Sequence, residues 1–358
     1  MFAKIASRLT RIREAARFRS VPQQIVDLFT HKLRLNIAPY DYYAFEFYKS
    51  DKTWDEKSRY VGRHGSVYWP FENNALRYNA LFTNKYIEKL LLKGAGLPTA
   101  PLLAIVGDNG DIRSREELGE FLRRQPRDVV LKPVSGTHGK QVLVVSRSGN
   151  DLLARGKPCT EGDVWDHVSG DLARGFLVEE RLTNAPEIAA LYPSSLNTFR
   201  VVTIKTLDQR WCLAAAYLRV GAGGNVVDNI AAGGILVRVD AEGRTRSAHR
   251  SGRSLEVHPD SGAPLVGVRL AGYRPACDLA LEASRKLGFV GTIGWDIAAT
   301  DLGPVIVEAN LWWTPSFQAA LGGAISDELA ASLPKHTPFK RWDRSMMHPK
   351  FDRRRRPN

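Results

Sequence analysis

The feature that most constrains this chain is the segment GWDIAATDLGPVIVEAN, residues 294–310, which reads as a β-hairpin around a DLG turn. Folding the segment symmetrically about Leu302 places Asp296 directly opposite Glu308. Asn310 lies two residues beyond Glu308 and shares its face, because side chains alternate along a strand. The other face is predicted to be the core side, with Ile297, Ala299, Val305 and Val307.

Two carboxylates that face each other across a hairpin destabilise the sheet unless a cation lies between them. Mg²⁺ accepts carboxylate and amide oxygens together with phosphate and water oxygens. Asp296, Glu308 and Asn310 are therefore candidate metal ligands. The pattern alone is equally consistent with a solvent-exposed acidic face.

A second hairpin is predicted from VVLKPV, the loop SGTHGK and QVLVV. Lys132 interrupts the first, apolar strand, where an unpaired ammonium is costly, so we expect an anionic partner for it. Gly136 and Gly139 allow backbone N–H groups to approach an anion such as a phosphate. The loop does not fit GxxxxGK[ST], which disfavours a Walker-type site. Taken alone, an ordinary glycine-containing hairpin tip explains this segment better than a phosphate lid.

Helical and strand patterns alternate along the rest of the chain, which is typical of an α+β protein. An apolar stripe at Phe2, Ile5, Leu9, Ile12 and Ala16 predicts an amphipathic helix, and Ser20 and Pro22 begin a second helix that ends near Leu33. Further helices are predicted at 84–93, 114–124, 163–172 and 274–287. Further strands are predicted at LLAIV, FLVEERL, NTFRVVTIKT, WCLAAAYLRV and ILVRVD. Residues 36–83 show no clear period.

The formal net charge of +13 is concentrated at the two ends of the chain. Residues 1–35 carry +6 and residues 335–358 carry +7, so the body between them is formally neutral. A nucleic-acid partner is therefore not expected for the body, whereas the ends can meet an anionic surface. The basic first residues lack the apolar stretch of a secretory signal, and no segment reaches the length of a membrane-spanning helix. We expect a cytoplasmic protein.

The lysine strand and glycine loop, then VEERL, then the D…ExN hairpin, resemble in this order the ATP-grasp superfamily. The runs NTFRVVT, DNIAAGG and GWDIA…VIVEAN are most similar to the sugar-transfer-associated ATP-grasp family. The resemblance covers about residues 84–316. It implies an ATP-grasp fold, in which two α+β lobes clamp ATP after a helical N-terminal region. The implied boundaries are 1–83 for the lead-in, 84–181 and 182–335 for the lobes, and 336–358 for a basic tail.

The resemblance also implies roles for individual residues. Lys132 would bind the α- and β-phosphates, and residues 179–182 would form the hinge beside adenine. The loop residues that would close over the β- and γ-phosphates are Gly136, Thr137, His138 and Gly139. The hinge residues are Glu179, Glu180, Arg181 and Leu182, of which the last three would line adenine chiefly through backbone groups. Glu187 would reach the ribose, and Asp296, Glu308 and Asn310 would hold two Mg²⁺ ions.

Two further residues are expected to act in the reaction. Arg200 in NTFRVVT would stabilise the transferred phosphoryl group or an oxyanion, since a cation in a closed site is worth more than one in water. Asn229, with Gly233 and Gly234, would contact the acyl phosphate or its carboxylate precursor. An exposed strand arginine and a plain Asn/Gly turn are the respective alternatives.

The chain departs from the pattern of the resemblance at two places. Asn84-Lys85 stands where relatives often have Asp-Lys, a change expected to affect packing more than chemistry. LWWTPS follows the ExN motif, where relatives often have a Gly/Pro-rich turn. Trp312 and Trp313 could stack on a sugar or an apolar substrate, or could equally belong to the core.

The function expected from this set is an ATP- and Mg²⁺-dependent carboxylate–amine ligase that works through an acyl phosphate. Its partners would be small carboxylate and amine substrates, sugar-linked in keeping with the resemblance, and it would serve polysaccharide or glycoconjugate synthesis. The alternatives are an ATP-grasp phosphotransferase and a non-catalytic nucleotide-binding scaffold. The N-terminal stripe is slightly more typical of a helix packed on the body. The alternative hypothesis is that this helix and the run from Arg353 to Arg356 make peripheral contact with the anionic inner face of a membrane.

Overall fold

The computed structural model describes residues 11–60, 62, 74, 76–136, 139, 141–149, 151–154, 156–206, 208–250, 253–313 and 318. Within these ranges, helices combine with two antiparallel sheets, one of six strands and one of seven. The predicted α+β class is therefore confirmed.

The N-terminal region is helical, as predicted. Residues 11–15 are helical and are followed by α1 (Val21–Leu35), α2 (Pro39–Ala44) and α3 (Trp54–Ser58). Helix α1 continues two residues beyond the predicted end and stops at Asn36, whose left-handed φ of 52° terminates it. This region has its own small core of Ala15, Ile37, Tyr42, Phe45, Phe47, Tyr48 and Tyr60.

The predicted apolar stripe of the first helix is only partly visible. Ala16 is exposed and its neighbour Ala15 is buried, so the prediction for Ala16 is wrong, while Ile12 is half-buried. Phe2, Ile5 and Leu9 lie outside the described residues. The packed side of this helix therefore includes Ala15, the neighbour of the predicted Ala16.

Two helices precede the first sheet, α4 (Asn79–Thr83) and α5 (Lys85–Gly94), after a short 3₁₀ turn at Leu76–Tyr78. The six-stranded sheet contains β1 (Leu102–Val106), β2 (Val129–Pro133), β3 (Leu143–Ser148), β4 (Asp151–Ala154), β5 (Lys157–Cys159) and β6 (Phe176–Glu180), in the order β1-β6-β2-β3-β4-β5. Helices α6 (Arg115–Arg124) and α7 (Glu161–Ser169) share its apolar core. Val129 pairs with Val145, which confirms the predicted β2–β3 hairpin.

Helix α7 begins and ends earlier than the predicted range of 163–172. Thr160 is its N-cap, and the Thr160 hydroxyl accepts a hydrogen bond from the Asp163 amide at 3.1 Å. The Asp163 carboxylate in turn accepts one from the Thr160 amide at 2.7 Å. This reciprocal capping makes Asp163 the third helical residue and not the first.

The seven-stranded sheet follows α8 (Pro186–Ala189). Its strands are β7 (Thr198–Lys205), β8 (Trp211–Val220), β9 (Ile235–Val239), β10 (Thr245–Arg250), β11 (Arg253–Leu255), β12 (Thr292–Thr300) and β13 (Gly303–Asn310). The order is β11-β10-β9-β8-β7-β12-β13, and α9 (Tyr273–Lys286) packs on β7, β8, β12 and β13. A 3₁₀ turn at Ile230–Ala232 precedes β9.

The β12–β13 hairpin has the predicted register at its open end and a different one near its turn. Asp296 pairs with Glu308 and Gly294 pairs with Asn310, as predicted, but a β-bulge follows and Ile297 pairs with Ile306. The bulge moves Ile306 into the core, whereas Val305 and Val307 are only half-buried. The prediction that Val305 and Val307 face the core is therefore wrong.

Helix α5 and the segment after it connect the two sheets. On the side of the first sheet, the Lys85 amide donates to Val134 O at 2.8 Å and the Glu180 amide donates to Pro101 O at 3.0 Å. On the side of the second, the Ile306 amide donates to Pro98 O at 2.9 Å. Side chains of α5 can therefore reach β2, β6 and β13 at once.

Candidate active site

The carboxylates predicted as metal ligands lie at the open end of the β12–β13 hairpin. Asp296 and Glu308 are directly opposite each other, and the Asn310 side-chain amide donates to Asp296 Oδ2 at 3.5 Å. Asp296 is buried, whereas Glu308 and Asn310 are half-buried. The hairpin therefore brings the three predicted oxygen ligands to one place.

Asp296 lies between two arginines in what we call the arginine triad (Arg200, Asp296, Arg219). Arg200 Nε lies 2.8 Å from Asp296 Oδ1, and Arg219 Nη2 lies 3.0 Å from Asp296 Oδ2. Arg200 stands opposite Asp296 on β7 and also donates to Gly294 O at 3.3 Å. The alternative that Arg200 is a plain exposed arginine is therefore excluded.

Arg219 was not predicted as a site residue, although it is buried. Its guanidinium lies 3.3 Å from Asp228 Oδ1 and donates to the Thr198 hydroxyl at 2.7 Å. Burial alone would lower the pKa of Arg219, but the carboxylates of Asp228 and Asp296 raise it above its usual value. A lone cation in the apolar strand WCLAAAYLRV was the available sequence signal.

Glu308 forms an ion pair with Lys85 at the start of α5. Burial would raise the pKa of Glu308, but Lys85 holds it below its usual value, so the carboxylate is ionised. Asn84 caps the helix, and its side-chain oxygen accepts from the Tyr86 and Ile87 amides at 3.0 and 3.1 Å. The Asn84-Lys85 pair therefore orders the helix end and also delivers a cation to the site.

Glu88 lies one helical turn after Lys85 and is fully enclosed. One carboxyl oxygen accepts a hydrogen bond from the Ala309 amide at 2.5 Å, and the other has no hydrogen-bond partner among the described residues. Burial, reinforced by the charge of Glu308, raises the pKa of Glu88 to about 8. Glu88 therefore carries a proton at neutral pH, in contrast to Glu308.

Lys132 has the anionic partner that its apolar strand predicted. Glu179 Oε2 lies 2.8 Å from Lys132 Nζ, and Glu179 Oε1 lies 2.8 Å from Lys89 Nζ. Lys89 also donates to Ala100 O at 2.6 Å. Burial would raise the pKa of Glu179, but the two lysines lower it. We call this set the lysine triad (Lys89, Glu179, Lys132).

One small cavity connects the two halves of the site. It has a volume of about 10 Å³, room for one water molecule, and is lined by Lys85, Glu88, Lys89 and Lys132 together with Val307. The residues come from α5, β2 and β13. The phosphate-binding lysine that was predicted and the hairpin that carries Glu308 therefore approach the same space.

Gly139 of the glycine loop lies against Val227 and Asn229, in the connection between β8 and β9 of the seven-stranded sheet. Gly139 has φ +63°, and a Cβ added there would lie 3.1 Å from the Val227 side chain and 3.2 Å from Asn229 Nδ2. Thr137 and His138 lie outside the described residues. The predicted loop and the predicted Asn229 are thus neighbours, and only a glycine fits this contact without strain.

The family model described as sugar-transfer associated ATP-grasp matches residues 67–331. The chain belongs to the sugar-transfer-associated ATP-grasp family. The resemblance drawn from the ordered motifs, and with it the ATP-grasp fold, is confirmed. A search of curated proteins found no match.

Several solved structures show slight likeness to this ATP-grasp protein. N5-carboxyaminoimidazole synthetase from Staphylococcus aureus, complexed with ADP, is 10% identical with a TM-score of 0.43, and the match covers 72% of this chain and 54% of that one. A biotin carboxylase–β-γ-ATP complex from Campylobacter jejuni is 13% identical with a TM-score of 0.42, covering 71% and 49%. D-alanyl-alanine synthetase A from Vibrio cholerae is 12% identical with a TM-score of 0.39, covering 64% and 55%. The chain spans about half the length of these structures, and no further argument rests on them.

The residues predicted as the hinge of this ATP-grasp protein lie at the end of β6 and directly after it. The Glu180 amide donates to Pro101 O at 3.0 Å, and the Arg181 amide donates to Asp128 O at 2.9 Å. Their side chains are paired with Arg127 and Asp128 respectively. The backbone amides of Glu180 and Arg181 are therefore already paired.

Three other predicted positions belong to neither triad. Glu187 is half-buried in the first turn of α8, and none of the hydrogen bonds or ion pairs between described residues joins it to Lys132 or the hairpin. Trp313 is buried against the second sheet, and its indole donates to the Thr292 hydroxyl at 2.9 Å. Trp313 is therefore a core residue, and Trp312 is half-buried and donates to the Asn79 side chain at 2.7 Å.

Across the ranges that the structure describes, no group of three or more His, Cys, Asp and Glu side chains is arranged to hold a metal ion. The candidate set here has two carboxylates and an amide. Over the same ranges, no helix has both the length and the apolar character needed to span a bilayer.

Proposed function

We propose that this protein is an ATP-dependent carboxylate–amine ligase that activates a carboxylate as an acyl phosphate. The observation that carries the proposal is the approach of opposite binding chemistries around one cavity. Lys132 and Lys85 line the cavity from β2 and α5, and Glu308, opposite Asp296 on the hairpin, is joined to it by its ion pair with Lys85. A nucleotide triphosphate with its metal ion needs both kinds of group at one place.

The donor set of the hairpin fits Mg²⁺. Lys85 engages one oxygen of the Glu308 carboxylate and leaves the second, and the side-chain oxygen of Asn310 remains beside it. Asp296 is available only if an arginine of the arginine triad gives up one of its oxygens. Bound there, Mg²⁺ would neutralise phosphate charge and polarise the transferred phosphoryl group.

On the phosphate side, Lys132 is the residue proposed to contact the α- and β-phosphates. It would exchange Glu179 for phosphate oxygens, while Lys89 stays on Glu179 and keeps that carboxylate compensated. We propose that the loop residues Gly136, Thr137, His138 and Gly139 close over the phosphates, since Gly139 already lies against Asn229. Closure would exclude water from the reactive acyl phosphate.

In the proposed reaction, an oxygen of the substrate carboxylate attacks the γ-phosphorus of ATP, and the bond to the bridging oxygen breaks to release ADP. A nucleophilic amine then attacks the acyl carbon, expels inorganic phosphate and loses a proton. Arg200 is proposed to stabilise the charge that develops on the oxygens, and Asn229 is proposed to orient the acyl group. Glu180, Arg181, Leu182 and Glu187 keep their proposed contacts to adenine and ribose.

The proposal extends to the setting of the reaction. We propose that residues 84–181 and 182–335 are the two lobes of the clamp, and that the substrates are sugar-linked, in keeping with the name of the family. The basic ends support peripheral contact with an anionic membrane surface in the cytoplasm, with residues 336–358 as a basic tail.

The test is ADP release, with MgATP, in the presence of panels of amino acids, uronic acids and amino sugars, with hydroxylamine added. A carboxylate that triggers ADP release and yields a hydroxamate supports the ligase, because hydroxylamine captures an acyl phosphate. ADP release with phosphate transferred to a hydroxyl group and no hydroxamate would instead identify a phosphotransferase. Nucleotide binding without turnover on any panel would favour the scaffold alternative.

A further inference from the structure

Helix α1 is oriented with its apolar side toward solvent. Its buried residues are Gln24 and His31, whereas Phe29 is 68% exposed and Leu33 is 60% exposed. The exposed large apolar residues on and just before this helix are Phe18, Val21, Ile25, Val26, Phe29 and Leu33. We call this set the α1 face. An amphipathic helix that serves only the core would have the opposite orientation.

The α1 face is continuous. Val21, Ile25, Phe29 and Leu33 recur every fourth residue, and Val26 widens the stripe, so the apolar side chains span an arc of about 140° on a helix with 100° per residue, with Lys32 inside the arc at its C-terminal end. Contiguous exposed apolar surface of this kind marks an interaction site, unlike apolar residues scattered singly.

The orientation of the helix is held by hydrogen bonds on its opposite side. Tyr43 donates to Gln24 Oε1 at 2.9 Å, and Tyr42 donates to Asp27 Oδ2 at 2.9 Å. The His31 ring stacks on Trp54 with 4.8 Å between ring centroids. Turning the helix to bury the α1 face would break these contacts and expose a polar-lined gap. The apolar face is therefore built outward.

The exposed charged residues of α1 itself are all basic. Lys32 is exposed near the end of α1 and Arg17 is exposed before its start, whereas Arg34 lies over the Trp54 ring, 5.3 Å from its centroid, on the packed side. Asp27, the acidic residue of α1, lies on the packed side, where Arg19 Nε is 3.3 Å from Asp27 Oδ2. An apolar stripe edged by cations complements an anionic lipid bilayer, which takes apolar side chains below its headgroups and cations among its phosphates.

A second copy of this chain fits the α1 face less well. A two-fold contact through the helix would place the cations of one copy against those of the other. The exposed residues of α1 include no acid to pair with them. Like charges brought together in this way oppose association, whereas a bilayer of anionic lipids compensates every one of them.

We propose that the α1 face inserts into the interfacial layer of an anionic lipid bilayer, with Arg17 and Lys32 at the headgroups. This deepens the proposed peripheral contact by naming the surface that makes it, and it does not depend on the ligase chemistry. In this proposal the α1 face supplies the hydrophobic contribution to membrane binding, and the basic tail, residues 336–358, adds to it.

The experiment is flotation of the full chain with vesicles of phosphatidylcholine and phosphatidylglycerol in equal parts, compared with phosphatidylcholine alone. Wild type floats with the anionic vesicles. The double variant Ile25→Ser with Phe29→Ser should partition at least about tenfold more weakly, because two large apolar side chains no longer enter the bilayer. The matched control is Val257→Ser with Leu302→Ser, two exposed apolar residues elsewhere, which should float as wild type.

Flotation of the Ile25→Ser, Phe29→Ser variant at the wild-type level would overturn the proposal. The proposal would also be overturned if wild type were a dimer in sedimentation velocity and this variant a monomer, since a second copy would then occupy the α1 face. Loss of binding only on removal of residues 351–358 would likewise overturn it and leave the basic tail as the anchor. Circular dichroism should show equal folding of both variants, and their ADP release without vesicles should equal that of wild type, which separates this test from that of the ligase.

Discussion

The lysine triad and the arginine triad solve the same electrostatic problem in opposite ways. In each, a buried carboxylate lies between two cations, Glu179 between Lys89 and Lys132 and Asp296 between Arg200 and Arg219. In the lysine triad the member proposed to meet the ligand is a cation, and in the arginine triad it is the anion. The difference matches the two ligands, because a phosphate needs a cation and a metal ion needs an anion. In both triads the ligand-free state is stabilised by ion-pair partners that the ligand must replace.

The largest expected effect is the loss of MgATP turnover when a carboxylate of the hairpin is neutralised. Glu308→Gln and Asp296→Asn should each lower the rate of MgATP turnover by about 10²–10³, because each removes a carboxylate proposed to hold the Mg²⁺ that neutralises the transferred phosphoryl group. ADP release with a saturating carboxylate substrate measures the rate. Asp301→Asn, on the exposed turn of the same hairpin, is the matched control and should be fully active. Wild-type rates in both site variants would remove the metal assignment.

The next effect concerns stability and the arginine triad alone. Arg219→Met should lower the free energy of unfolding by about 3–5 kcal/mol, because it leaves the buried carboxylates of Asp228 and Asp296 without their shared cation. Urea denaturation measures the change. Arg200→Met is the comparison, and its smaller loss is expected because Arg219 still compensates Asp296. Equal losses would show that the two arginines do not differ in structural role.

The lysine triad can be divided in the same way. Lys132→Met should weaken ATP binding by about 10- to 100-fold through the loss of a charge-assisted bond to phosphate. Lys89→Met removes the other cation from Glu179 and is the comparison, with a smaller loss of nucleotide affinity because it removes no bond to phosphate. Isothermal titration calorimetry measures both. If the two variants lose the same affinity, the division of the triad into a binding lysine and a structural lysine is incorrect.

The smallest expected effect is a pH dependence at the junction of the triads. Because the pKa of Glu88 is raised to about 8, the folded protein keeps a proton that the unfolded chain releases at lower pH, so this group costs stability as pH rises toward 8. Glu88→Gln cannot ionise and should gain on the order of 1 kcal/mol over wild type between about pH 6 and pH 7. Thermal unfolding of both proteins across this range tests it, and a constant difference would contradict the assignment.

Local patterns in the sequence predicted the elements that carry the site. Alternation along residues 294–310 placed Asp296 opposite Glu308, and Lys132 in an apolar strand required an anionic partner. The bulge after Asp296 could not be predicted in this way, because an extra residue on β13 leaves the alternation of β12 unchanged. The prediction therefore failed at Val305 and Val307, toward the turn, and held at the open end.

Local sequence patterns did not assign four residues to the site: Lys85, Glu88, Lys89 and Arg219. Lys85 and Glu308 are 223 positions apart in the sequence. The periodicity of a helix shows which residues share a face, but it does not show which strand that face contacts. Glu179 was predicted as part of a hinge segment, while its burial between two lysines depends on α5 packing against β6 and β2. Such pairs form only when distant elements are brought together.

What the sequence alone determined about this protein is the family, the α+β elements and the carboxylate pair of the hairpin, since these follow from ordered motifs and short periodicities. The tertiary structure decided which partners hold those residues and which faces are covered. Helix α1 shows the distinction most clearly, because its apolar stripe is written in the sequence, but the contacts of Gln24, Asp27 and His31 turn that stripe outward. Periodicity sorts side chains into faces, and only packing against the rest of the chain selects the face that is buried.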